Sequence, residues 1–155
     1  MAIELWLLRH GEAEPHGSRP DAQRALTANG ERQSRRAGRA LAALGVEFAA
    51  ILASPKVRAW ETAVLAGAAL GMEPIEESLL AAGPDRGEAR ALVHGAGRVL
   101  LVGHDPYFSQ LIHDVSGARV RLPKGGVCGL RLAPPGELAV LLRPRELAGL
   151  AGDDA

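Results

Sequence analysis

The sequence predicts an α/β protein with a largely parallel β-sheet that is covered on both faces by helices. Short apolar runs, which are typical of strands, alternate with longer segments in which apolar residues recur at helical spacing. The clearest apolar runs are residues 3–8, 49–53 and 98–102. Because a helical segment follows each run, the strands need crossover connections, and these favour parallel pairing.

The first helix is predicted by apolar residues at i, i+3, i+4 and i+7. These residues are Ala37, Ala40, Leu41 and Leu44. The pattern predicts a helix from about Ala28 to Gly45, since glycine readily takes the left-handed conformation that ends a helix.

Two further helices are predicted where a capping residue precedes a proline. Ser54 precedes Pro55 and Asp105 precedes Pro106, so that each proline could occupy the first helical position. Ser54 and Asp105 are therefore interpreted as helix caps rather than as catalytic groups. The predicted helices span about residues 55–70 and 106–115.

The remaining segments complete a single domain of residues 1–155. Asp85 and Glu88 have the spacing of a capping box, which predicts a short helix from Asp85. Two final strands are expected over residues 129–132 and 138–142. The tail after Arg145 carries no comparable signal, and we expect it to be loose.

Composition limits the classes of function. The 155 residues are 47% apolar, and 18 basic residues balance 18 acidic ones, so the chain has no net charge to attract nucleic acid or an anionic membrane. A single cysteine, Cys128, excludes an internal disulfide and a cysteine-rich metal site, and its apolar neighbours predict a buried thiol. The first apolar run is far shorter than the ~20 residues that span a bilayer. We expect a cytoplasmic protein.

Cationic and histidine side chains follow three of the predicted strands. Arg9 and His10 follow the first strand, Arg58 lies just after the second, and His104 follows the third. Ligands of open α/β sheets bind outside the carboxyl ends of the strands. Guanidinium groups suit phosphate oxygens, and an imidazole kept neutral by nearby cations retains a lone pair that can attack phosphorus. The constellation predicts phosphoryl transfer through a histidine.

Three motifs that carry these residues resemble those of a known family. The stretches "LLRHGEA", "SPKVRAWETA" and "VGHDP" are similar, in this order, to the three motifs of the histidine phosphatase superfamily, the phosphoglycerate mutase-like enzymes. The small size and the stretch "RALTANG" most resemble the phosphohistidine phosphatases of the SixA type. The resemblance implies a three-layer α/β/α sandwich with a mostly parallel sheet.

The resemblance also implies roles for individual residues. His10 would be the phosphorylated nucleophile, and Arg9, Arg58 and His104 would bind the phosphoryl group. Arg24, in "RALTANG", would be a further phosphate contact. Neither a metal ion nor a cofactor is implied.

Gly11 is also expected in the substrate site. It follows His10 directly, and a Cβ at this position would crowd a phosphate lying on the turn.

A general acid is not evident in the sequence. The larger relatives take this carboxylate from a long insertion ahead of the third motif, whereas here about 24 residues separate Pro74 from Val99. Glu77 and Asp85 are weak candidates. Phosphate monoesters need protonation of a poor leaving group, worth ~10²–10⁴ in rate, whereas phosphohistidine needs it less.

Three functions remain open from the sequence. The first is a SixA-like phosphatase that acts on a phosphohistidine of a partner protein. The second is a small-molecule phosphomonoesterase of the same superfamily, and the third is a phosphate-binding regulatory module without turnover. The short chain and the missing acid favour the first.

A basic stripe on the first helix suggests how a protein substrate could dock. Its members recur at i, i+3, i+4 and i+7 and face away from the apolar side of the helix. They are Arg32, Arg35, Arg36 and Arg39, with no acid expected on that face. The stripe is either ordinary solvated surface or a face that steers an acidic partner toward the site.

Overall fold

A six-stranded sheet lies between two layers of helices. The computed structural model describes residues 3–153. The strands are β1 (Glu4–Arg9), β2 (Ala50–Ala53), β3 (Ile75–Glu76), β4 (Arg98–Gly103), β5 (Val127–Arg131) and β6 (Glu137–Leu142). The helices are α1 (Ala28–Ala43), α2 (Val57–Leu70), α3 (Arg86–Val93), α4 (Tyr107–Ser116) and α5 (Pro144–Ala151). Short 3-10 helices lie at Asp21–Gln23 and Ser78–Ala81.

The sheet is mostly parallel, as predicted. Its strand order is β3-β2-β4-β1-β5-β6. β1 to β4 run parallel to one another, while β5 and β6 add an antiparallel edge. The predicted α/β fold is thereby confirmed, with its three parallel strands β1, β2 and β4 at the centre.

Successive side chains of β1 point in turn to the two faces of the sheet and contribute to a separate hydrophobic core on each face. Leu5 and Leu7 pack with buried residues of α3 and α4 on one face of the sheet. Trp6 and Leu8 pack with buried residues of α1, α2 and α5 on the other face. Since neighbouring side chains of a strand point to opposite faces, one apolar run supplies both cores.

The predicted capping features are present at α1 and α3, although two other helices begin later than expected. Thr27 accepts a hydrogen bond from the N–H of Gly30 at the start of α1, and Gly45 has φ of +72° just after its end. Asp85 and Glu88 form the predicted capping box of α3. α2 and α4 begin at Val57 and Tyr107, so the prolines stand ahead of the helices rather than in their first turns.

One α-helix and one strand were not predicted. Residues after Arg145 are not loose as far as they are described, because they belong to α5, whose Leu147 is buried against the core. Asp153, just beyond α5, also forms ion pairs with α1. β3, a strand of two residues, is too short to give a sequence pattern. Among the described helices, none is long and apolar enough to cross a membrane.

Candidate active site

Five of the six predicted site residues meet in one cavity of about 190 Å³. It opens where β1, β2 and β4 end, as expected for a sheet of this kind. Five predicted residues line it: Arg9, His10, Arg24, Arg58 and His104. All of them except Arg9 are at least nine-tenths buried.

The register of β1 and β4 brings the two histidines together. Arg9 lies opposite Gly103, so that His10 and His104 both come next at the end of their strands. The N–H of His10 donates to the carbonyl of Gly103 at 3.0 Å. The two ring centroids are 5.3 Å apart with an interplanar angle of 56°.

The His10 ring is held as a neutral base. Its Nδ1 lies 2.7 Å from the carbonyl oxygen of Gly11, which can only accept, so Nδ1 carries the proton and Nε2 keeps a lone pair. Burial is the main reason that the pKa of His10 is lowered to about 3, and the charges of Arg58 and Arg9 act in the same direction. At neutral pH the Nε2 lone pair is available for attack on phosphorus.

His104 is oriented by Ser54, which sequence reasoning assigned only to capping. Ser54 Oγ lies 2.8 Å from His104 Nε2 and also accepts the backbone N–H of Lys56 at 3.2 Å. The hydroxyl can donate to Nε2 or accept from it, according to which ring nitrogen of His104 carries the proton, and either bond fixes the orientation of the ring. The pKa of His104 is lowered to about 3, first by burial and then by the neighbouring His10 and Arg58.

The arginines are held by contacts from the surrounding loops. Arg9 Nη1 donates to the carbonyl of Leu122 at 2.8 Å, and Arg24 Nη1 donates to the carbonyl of Glu14 at 2.7 Å. Arg58 Nη1 donates to the carbonyl of Asp21 at 2.7 Å.

Three buried nitrogens of the cavity residues lack a partner among residues 3–153. They are Arg9 Nε, Arg58 Nε and His104 Nδ1. An unsatisfied buried donor costs about 1–3 kcal/mol, more for a charged group. Cations with spare donors therefore favour an anion with several acceptor oxygens, such as a phosphoryl group.

Gly11 is needed for a reason different from the predicted one. A Cβ at this position would lie 2.5 Å from the carbonyl oxygen of Gly30 in α1, so the glycine permits close helix packing. Gly11 does not line the cavity, and its N–H donates to Thr62 Oγ1 at 3.1 Å. Thr62 lies one turn after Arg58 and helps to fix the turn after His10, a role that no sequence motif indicated.

The two candidate general acids lie outside the cavity. Glu77 accepts the N–H of Leu79 at 3.4 Å, and Asp85 caps α3. The carboxylates that line the cavity belong to Glu14 and Asp105, which were not predicted there. His16 and Lys124 also line it, and they were missed because both lie in loops without a recognisable motif.

The basic stripe of α1 is largely paired, so the expectation of no acid was wrong. Arg35 lies 3.6 Å from Glu31, one turn earlier on the helix. Arg36 lies 3.3 Å from Asp153, which also pairs with Arg39. Much of the stripe's charge is therefore locally neutralised.

Side chains that could bind a metal ion are not clustered in the described part of the chain. Within residues 3–153, no group of three or more histidine, cysteine or carboxylate side chains is placed to hold a metal ion.

Known proteins match both the sequence and the fold. The model of the histidine phosphatase superfamily (branch 1) matches residues 5–81, which include His10, Arg24 and Arg58. An uncharacterized protein of Picosynechococcus is 34% identical over 143 residues, a match that covers 83% of this chain and 85% of that protein.

Solved structures share the fold at lower identity. The protein histidine phosphatase SixA complexed with tungstate has a TM-score of 0.82 at 24% identity, covering 94% of this chain and 99% of that one. A phosphoserine phosphatase mutant from Entamoeba histolytica in complex with phosphoserine has a TM-score of 0.71 at 14% identity, covering 94% and 99%. The chain belongs to the histidine phosphatase superfamily, and the predicted class of enzyme, a hydrolytic phosphatase, is confirmed with it.

Proposed function

We propose that this phosphatase removes the phosphoryl group from a phosphohistidine of a partner protein, with His10 as the nucleophile. Arg9, Arg24, Arg58 and His104 bind the oxygens of the transferred group. The observation that carries the proposal is a neutral His10 among arginines, in a cavity whose described carboxylates are already engaged.

The reaction proceeds in two displacements at phosphorus. In the first, the Nε2 lone pair of His10 attacks phosphorus, and the electron pair of the breaking P–N bond returns to the substrate imidazole. In the second, water attacks the phosphoryl group on His10, the electron pair returns to Nε2, and orthophosphate leaves. The arginines stabilise the charge on the phosphoryl oxygens in both steps.

The cavity carboxylates favour phosphohistidine over phosphate monoesters. Asp105 accepts the N–H of Ser109 at 2.9 Å and its hydroxyl at 2.6 Å, which commits both carboxylate oxygens to α4. Glu14 Oε1 accepts the N–H of Ala25 at 2.8 Å and pairs with Arg19 at 3.1 Å. Both carboxylates are thus already engaged as hydrogen-bond acceptors, and the imidazole leaving group needs a proton donor less than an alkoxide does.

The size of the cavity favours a substrate that stays mostly outside it. At about 190 Å³ it is smaller than the roughly 300–1,000 Å³ typical of sites that enclose small molecules. A phosphoryl group at the end of an imidazole side chain can enter while the rest of a protein substrate remains on the surface.

A second candidate is a phosphatase of small-molecule monoesters. The fold shared with the phosphoserine phosphatase of Entamoeba histolytica favours it, as does the imidazole of His16, a further polar side chain that lines the cavity. The third possibility, a phosphate-binding module without turnover, has no specific observation in its favour.

Substrate choice can be tested by comparing rates on three classes of compound. The wild-type chain is given a phosphohistidine-bearing protein, a phosphoramidate and a panel of sugar phosphates and phosphoserine, with His10→Ala as the inactive control. We expect kcat/KM for the phosphohistidine protein to exceed that for every monoester by about 10²-fold or more. A monoester hydrolysed as fast as the protein would favour the second candidate, and no turnover of any of them would favour the third.

A further inference from the structure

Asp21 lies behind two of the cavity arginines. It begins the 3-10 helix Asp21–Gln23, in the connection between β1 and α1, and nothing in the sequence motifs assigns it a role. It does not line the cavity, and its side chain is 49% exposed, whereas those of Arg24 and Arg58 are 8% and 6% exposed.

Both carboxylate oxygens of Asp21 bind guanidinium groups. Oδ1 accepts from Arg24 Nε at 3.2 Å and from Nη2 at 3.0 Å, so that two donors on one edge of that guanidinium share a single oxygen. Oδ2 lies 3.3 Å from Arg58 Nη2 and 3.4 Å from Lys56 Nζ. The backbone carbonyl of Asp21 adds the 2.7 Å bond to Arg58 Nη1. One residue therefore holds both arginines.

The contacts of Asp21 are directed at these cations and not at its own helix. Pro20 occupies the N-cap position of Asp21–Gln23, and no side-chain hydrogen bond caps that helix. Burial acts to raise the pKa of the Asp21 carboxyl, but the hydrogen bond from Arg24 and the charge of Arg58 outweigh it and hold the pKa well below its usual range. The carboxylate is thus ionised whenever the arginines are in place.

Fixing these guanidinium groups matters for binding an anion. A free arginine side chain has several rotatable bonds, and immobilising them when an anion binds costs conformational entropy that weakens binding. Contacts with Asp21 already order both arginine side chains before the anion binds. The remaining N–H donors of the two guanidinium groups stay available for phosphoryl oxygens.

We propose that Asp21 is a positioning residue that orients Arg24 and Arg58 for the phosphoryl group. Its carboxylate also works against anion binding through charge repulsion, but its half-exposed side chain leaves that repulsion screened by solvent, whereas its contacts with the two guanidinium groups are direct. Orientation therefore prevails. The proposal rests on the proposed function only in taking the anion to be a phosphoryl group.

The test measures binding of tungstate and orthophosphate to Asp21→Asn by calorimetry, together with kinetics on a phosphoramidate. The asparagine keeps the shape of the side chain but puts an N–H₂ donor against cations. We expect both dissociation constants and KM to rise about tenfold, with a smaller fall in kcat. Glu31→Gln is the matched control, because it removes an acid paired with an arginine outside the cavity. It should change the two dissociation constants, KM and kcat by no more than about twofold each.

A double mutant separates positioning from a general structural role. If Asp21 acts through Arg24, Asp21→Asn should weaken tungstate binding much less in an Arg24→Ala background than in the wild type. The same loss in both backgrounds would overturn the proposal. So would unchanged or tighter tungstate binding by Asp21→Asn alone, since tighter binding would mean that Asp21 competes with the anion.

The outcome is independent of substrate identity. Suppose that Asp21→Asn weakens tungstate binding as expected but the wild-type chain hydrolyses no phosphohistidine protein. The proposed function would then be wrong, whereas the positioning role of Asp21 would stand. Thermal unfolding of Asp21→Asn alongside Glu31→Gln shows whether each variant is folded, and an exposed isosteric change should leave both folded.

Discussion

Two groups of arginines in this chain show how surroundings decide what a cation does. Arg24 and Arg58 are buried beside the cavity, are held by Asp21, and lie near donors without protein partners. Arg35 and Arg39 are exposed on α1 and pair with nearby acids. A buried cation with spare donors can bind an anionic substrate, whereas an exposed and paired one adds little to binding.

The largest expected effect separates the two groups directly. Arg58→Ala should lower kcat/KM for a phosphoramidate by about 10²–10³-fold and raise KM, because the guanidinium binds both the ground state and the transition state. Arg35→Ala should change kcat/KM by less than about twofold. Steady-state kinetics on both variants measures the contrast, and an Arg58→Ala enzyme with wild-type kcat/KM would remove that residue from the site.

The buried histidines should make stability depend on pH. The pKa of His10 is lowered from 6.5 to about 3 in the folded chain, so between these values the unfolded state binds the extra proton. The contribution of the neutral His10 ring to the free energy of unfolding is complete above about pH 6.5, and it is lost as the pH falls toward the pKa of the folded state. Between about pH 6.5 and pH 5, the free energy of unfolding should fall by roughly 1–2 kcal/mol for this one group.

Urea unfolding at the two pH values, with His10→Asn beside the wild type, isolates this contribution. The variant should lose correspondingly less stability on acidification, whereas His113→Asn, at an exposed histidine, should behave like the wild type. An equal loss in wild type and His10→Asn would show that the His10 ring is not held neutral by the fold.

A smaller effect is expected from the group that orients His104. Ser54→Ala removes the hydroxyl 2.8 Å from Nε2 and should lower kcat about tenfold, equivalent to about 1.4 kcal/mol. Ser54→Thr keeps a hydroxyl and should restore part of the rate if the methyl group is accommodated. Unchanged kcat in Ser54→Ala would mean that Ser54 serves only the start of α2.

The smallest effect is expected on the exposed stripe. Arg35→Glu with Arg39→Glu should slow turnover of a phosphohistidine protein by no more than about twofold to threefold at low salt, because acids already neutralise these arginines. A phosphoramidate serves as the control substrate. If the turnover rate of the phosphohistidine protein fell about tenfold while that of the phosphoramidate did not change, the stripe would again be supported as a docking surface.

Local signals explain what the sequence could predict. The apolar runs of β1, β2 and β4 and the three motifs are contiguous, so these strands and the positions of His10 and His104 at strand ends follow from them. The capping box at Asp85 is equally local. These features need no knowledge of distant contacts.

The missed features depend on residues far apart in the chain. Asp21 meets Arg58 across 37 positions, and Arg36 meets Asp153 across 117. Gly11 is fixed by a close approach to Gly30, and α5 owes its order to Leu147 in the core. Such contacts exist only once the sheet has assembled, and single-chain patterns do not contain them.

The most direct test of the account follows a labelled phosphoryl group through one turnover. A phosphohistidine protein carrying labelled phosphate is mixed with excess enzyme, and the reaction is quenched at short times under conditions that preserve phosphohistidine. The account predicts label on His10 before it appears in orthophosphate, and no labelled enzyme with His10→Ala. Label that passes to orthophosphate at the full rate without ever being found on His10 would contradict it.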